Sequence, residues 1–109
     1  MIGVALTDAE VDIMRLKPEQ AEFLARVLRE ICPSGEVFLF GSRVHKDARG
    51  GDIDVLLLSP RKLSLQKLIR AKIQFFRRFG EQKLDLVNLS FSDRSPFKQL
   101  ILAEAVKIA

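Results

Sequence analysis

The sequence predicts an α+β or α/β sandwich built on a single sheet. Three observations carry that expectation. Three short segments are dense in branched and aromatic residues, longer segments place apolar residues at helical spacing, and proline, glycine or serine marks the junctions. With 109 residues, 48% hydrophobic and 29% charged, the chain has the composition of one small folded domain rather than a disordered segment. A domain of this size buries only roughly 60–65% of the surface its unfolded chain exposes. Modest stability alone, and reliance on a partner or a second copy, are therefore expected.

Residues 7–16 have the spacing of a capping box, Thr7 with Glu10, and suit a short helix. A firmer helix is predicted over 18–31. Pro18 opens it, Phe23, Leu24, Val27, Leu28 and Ile31 recur on one side, and Pro33-Ser34-Gly35 ends it. Glu36–Phe40 (EVFLF) reads as a buried strand, and 53–58 (IDVLLL) as a second, stopped by Ser59-Pro60. Between them, residues 41–51 form a loop rich in glycine and charge. A long amphipathic helix follows over 64–79, with Leu65, Leu68, Ile69, Ile73, Phe76 and Phe79 as its expected buried stripe and Gly80 as its cap. Residues 83–89 (KLDLVNL) give a third strand. Ser95-Pro96 then opens a last helix, expected to run to about residue 108. That helix is apolar on most sides, so part of it is expected to meet another chain, as in a homo-oligomer.

Composition narrows the function. No apolar run approaches the roughly 18–20 residues of a membrane span, and residues 1–14 lack the basic region and apolar core of a signal peptide. One cysteine, Cys32, permits no internal disulfide, so a reducing cytoplasmic setting is the expectation. Cys32 itself ends an apolar helix pattern and reads as a small buried hydrophobe. The net charge of +4 favours anionic partners without selecting one. Trp and Tyr are absent and the eight Phe lie mostly in apolar patterns, so no platform for stacked RNA bases is evident and direct nucleic-acid binding is not expected. Arg61, Lys62, Lys67, Arg70, Arg77 and Arg78 cluster around the long helix and read as a solvated face, with a docking face for an acidic partner or RNA as the alternative.

The chemistry is concentrated in the carboxylates. Residues two apart on a strand point to one face, so Asp52 and Asp54 project side by side. Two such carboxylates repel and interrupt an apolar strand, which is costly unless a cation binds them. A hard divalent ion such as magnesium favours oxygen ligands and shares them with phosphate. Gly41-Ser42, directly after the first strand, lets the backbone approach phosphate oxygens closely and offers a hydroxyl. Asp85 is a third carboxylate in an otherwise apolar strand, and pairing with the second strand would join it to the first two.

Phe40-Gly41-Ser42-Arg43 through Gly50-Gly51-Asp52-Ile53-Asp54-Val55 resembles the signature of the DNA polymerase beta nucleotidyltransferase superfamily, and within it the minimal nucleotidyltransferase family. The resemblance implies a small mixed sheet packed with helices, over residues 14–109, with residues 1–13 an extension of unassigned role. It implies that Gly41, Ser42, Arg43 and Gly51 hold the nucleotide. Asp52, Asp54 and Asp85 would be the catalytic residues and ligands of Mg2+, with ATP as substrate. Many relatives carry serine where this chain has Gly51, and an Arg-Gly pair where it has His45-Lys46. His45 reads as a solvated loop residue.

Larger superfamily members carry a domain for the acceptor, and 109 residues leave no room for one. In the minimal family the acceptor is a separately encoded HEPN protein. The resemblance therefore implies a toxin–antitoxin pair of type VII character, in which this chain adenylylates its HEPN partner on a tyrosine. The alternative is a catalytically silent antitoxin or nucleotide-binding subunit that neutralises the partner by complex formation. A transferase acting on a small molecule after dimerising is a third reading. All three aspartates are present, which favours the enzyme.

Overall fold

The computed structural model describes residues 17–40, 53–81 and 83–109. In chain order the elements are α1 (Pro18–Ile31), β1 (Glu36–Phe40), β2 (Ile53–Ser59), α2 (Leu65–Phe79), β3 (Leu84–Ser90), α3 (Pro96–Glu104) and β4 (Val106–Lys107). The expected helix over residues 7–16 and the loop over 41–51 lie outside the described residues.

The strands form one mixed sheet in the order β3-β2-β1-β4. β1 runs antiparallel to both β2 and β4, while β2 and β3 are parallel. Parallel neighbours need a crossover, and α2 supplies it. The alternation of each strand divides its side chains between two layers. Val37, Leu39, Ile53, Val55, Leu57 and Leu84 face the layer of α1 and α2, where they pack with Leu24, Val27, Leu28, Ala71 and Phe75. Leu56, Leu58 and Leu89 face the other way and pack against Ile101 of α3.

Local chemistry sets the element ends. Pro18 occupies the first turn of α1, and the Lys17 N–H donates to Gln20 Oε1 at 3.1 Å. Ser64 caps α2 by accepting from the Lys67 N–H at 3.3 Å, and Ser95 caps α3 by accepting from the Lys98 N–H at the same distance. Gly80 closes α2 at φ 87°, its N–H donating to the Phe76 carbonyl at 2.8 Å. Phe23 of α1 meets Phe79 edge-on at 5.4 Å between centroids, which locks the two helices of this layer together.

Two expectations are corrected. The last helix stops at Glu104 instead of running to 108, and the chain turns into β4 on the free edge of β1. The Ile108 N–H donates to the Val37 carbonyl at 2.8 Å, and the Ile108 side chain enters the α1–α2 core. Much of the apolar excess that suggested an oligomeric helix is thus spent on closing a sheet edge. On α2, Leu65, Ile69 and Ile73 are exposed, while Ala71 and Phe75 take the buried positions. The apolar arc of this helix is wider than the core it faces.

Candidate active site

The register of the sheet assembles the site. Asp54 stands second in β2 and Asp85 second in β3, and the two are direct partners in the parallel ladder. Neighbouring strands lie about 4.8 Å apart, so two carboxylates issue from adjacent backbone positions. Strand alternation sends both to the α3 side of the sheet, since Leu56 and Val87, two residues further along each strand, belong to that layer. The Ile53 N–H donates to the Lys83 carbonyl at 2.9 Å, which fixes the starts of β2 and β3 level with each other. Phe40, the last residue of β1, is the antiparallel partner of Asp54 and closes the other side.

Exposure separates the two carboxylates from the core beneath them. Asp54 is half-buried and Asp85 exposed, whereas Leu56 and Leu89 further along the same face are buried. The apolar part of the face packs against Ile101 of α3, and the carboxylates lie further towards the starts of β2 and β3. Like charges directly opposite on neighbouring strands destabilise a sheet unless other groups compensate them. Two hard oxygen donors at this spacing fit a magnesium ion, which is held by one or two carboxylates together with phosphate oxygens.

Asp52, Gly41, Ser42, Arg43 and Gly51, the other residues expected in the site, lie outside the described residues, as does His45. Sequence reasoning missed the group that braces β3 beneath the site. Asn88 is buried, its Nδ2 donating to the Leu57 carbonyl at 3.0 Å and to Ser59 Oγ at 2.9 Å, while its Oδ1 accepts from the Leu63 N–H at 2.6 Å. One side chain therefore ties β3 to β2 and to the entry of α2. The only signal was a polar residue at an inward position of an apolar strand.

The family model described as "Polymerase beta, Nucleotidyltransferase" matches residues 35–109, from the turn before β1 to the last residue. The chain belongs to this nucleotidyltransferase family. Solved structures of the fold include the tri-AMPylated HEPN toxin of Shewanella oneidensis in complex with MNT antitoxin. That likeness has a TM-score of 0.61 at 20% identity and covers 82% of this chain and 68% of that one. A toxin–antitoxin structure with AMP-PNP gives a TM-score of 0.63 at 21% identity, over 80% and 70% of the two chains. The toxin–antitoxin MntA-HepT gives 0.61 at 18%, over 84% and 70%. At these identities the likeness is one of fold. No curated protein matches the chain significantly. The nucleotidyltransferase fold, a mixed sheet packed with helices, is thus common to these proteins and to this chain.

Proposed function

We propose that this chain is a magnesium-dependent nucleotidyltransferase that moves an adenylyl group from ATP to a hydroxyl of a HEPN-type toxin and so acts as its antitoxin. The observation that carries the reading is the pairing of Asp54 with Asp85 in adjacent parallel strands in a member of the polymerase beta family. Support for the acceptor comes from proteins of the same fold, one solved in complex with an AMPylated HEPN toxin and another with AMP-PNP.

In this reading Asp52, Asp54 and Asp85 hold the metal, and Gly41, Ser42, Arg43 and Gly51 hold the nucleotide. Bound magnesium would neutralise charge that develops on the phosphates. Gly41 and Ser42 place the triphosphate so that its α-phosphorus lies in line with the incoming hydroxyl. A bond forms between the acceptor oxygen and the α-phosphorus, the bond from that phosphorus to the β-phosphate bridging oxygen breaks, and pyrophosphate leaves. Asp85 orients the attacking hydroxyl and takes its proton. Positioning and preorganised electrostatics supply most of the acceleration. Among the described residues no helix is long and apolar enough to cross a membrane. The domain proposed to carry this chemistry is 14–109, and no role is assigned to residues 1–13.

The test is to incubate the purified chain with magnesium, labelled ATP and the HEPN-type protein encoded beside it, and to weigh the products. A gain of one or more AMP units on the partner, lost in Asp54→Ala, supports transfer. A stable complex with no gain in mass would instead favour an antitoxin that acts by contact alone.

A further inference from the structure

The exposed side chains Leu65 (70% exposed), Ile69 (44%) and Ile73 (43%) follow one another at four-residue intervals on α2 and form a single ridge. The ridge is not shared with the core, because Ala71 and Phe75 already fill the side of α2 that faces the sheet. The charges on α2 itself are of one sign. Arg70 lies on one flank and Lys72 on the other, Arg77 continues the line four residues beyond Ile73, and α2 has no acidic residue in any of its four turns. Among the described residues, no ion pair engages any of the five basic side chains of this helix.

We propose that this ridge docks a helix of a partner protein whose apolar stripe is flanked by acidic residues. Leu and Ile at positions i, i+4 and i+8 match the spacing of knobs from an apposed helix, and the flanking cations select its charge. A second copy of α2 would bring five cations against five, which excludes self-pairing through this face. Three aliphatic residues on a helix fixed to a domain give a membrane little to bind, and aliphatic knobs form no hydrogen bond to a base edge or a phosphate. The ridge lies in the α1–α2 layer, across the sheet from Asp54 and Asp85, so docking and chemistry use opposite faces. The inference rests on the proposal above that the chain acts on a protein, and it identifies where that protein is gripped.

The experiment measures affinity of the full-length chain for the HEPN-type protein encoded beside it, by titration calorimetry, for the wild type and two double variants. Ile69→Glu with Ile73→Glu is expected to weaken the complex roughly 30-fold or more. Arg70→Glu with Arg77→Glu is expected to weaken it at least several-fold and to flatten its salt dependence. Both variants should keep wild-type thermal stability and ATP binding, since none of the four residues is buried or in the site. Complexes of wild-type affinity from both variants would overturn the ridge while leaving the antitoxin reading intact. No complex even from the wild type would overturn both. Loss of binding to anionic vesicles or to a single-stranded RNA in the arginine variant, with the protein complex unchanged, would reassign the face and overturn the proposal.

Discussion

At the scale of single residues, two positions bear loads that their identity alone does not announce. A Cβ on Gly35 would lie 3.0 Å from Leu57 Cδ1, 3.0 Å from the Leu58 carbonyl and 3.1 Å from Cys32 Sγ. The carbonyl belongs to the central strand and has no room to retreat. Gly35→Ala is therefore expected to cost about 1–3 kcal/mol by overpacking, read as a fall in the urea midpoint. Asn88 is the second such position. Removing its amide leaves the Leu63 N–H and Ser59 Oγ without the partners described above, in a region closed to water. Asn88→Ala should destabilise by about 1–3 kcal/mol, and because β3 carries Asp85, nucleotide affinity should fall as well. Unchanged nucleotide affinity in a folded Asn88→Ala would separate the brace from the site.

At the scale of elements, β4 carries more weight than its two residues suggest. It covers the edge of β1, and Ile108 beside it is only 4% exposed. Ile108→Ala should cost about 2–5 kcal/mol in thermal or chemical denaturation, against less than 1 kcal/mol expected for an exposed tail. The ion pair of Lys107 with Glu36, at 3.5 Å and well exposed, adds little to this. At the start of α3 the hydroxyl and the backbone N–H of Ser95 hold the Asp93 carboxyl below its usual value of 3.8, the N–H lying 2.7 Å from Oδ1. Because the folded value is the lower one, the contribution to stability is complete above the unfolded value. It is lost as pH falls through the folded value. Amide shifts at Ser95 should move below about pH 4, and Asp93→Asn should remove that titration.

At the scale of the molecule, the two proposed functions fall on opposite faces of the sheet. One face carries Asp54 and Asp85, and the other supports α1 and α2 with the exposed ridge of α2. Asp54→Ala is accordingly expected to abolish adenylyl transfer while leaving the affinity for the partner within a few-fold of wild type. Mass measurement and calorimetry on the same preparation check both halves. On α3, Phe97 and Leu100 remain 52% and 72% exposed after the last helix has been shortened.

Much of this was legible in the chain. Periodicity and punctuation placed α1, β1, β2, α2 and β3 to within a residue or two, because proline, serine and glycine act locally on the backbone at each end. The family was legible from Gly41-Ser42 and the spaced aspartates, and the match over residues 35–109 agrees with it. What the sequence did not decide depends on contacts between distant segments. Residues 106–108 continue an apolar helical pattern, and only the open edge of β1, some 70 residues earlier in the chain, makes a strand the better solution. Hydrophobicity marked Leu65, Ile69 and Ile73 as core, but how much of an apolar arc is buried depends on the width of the surface it meets. The pairing of Asp54 with Asp85 has the same origin. Sequence supplied two carboxylates in two strands, and the register between strands, set by the whole core, made them neighbours.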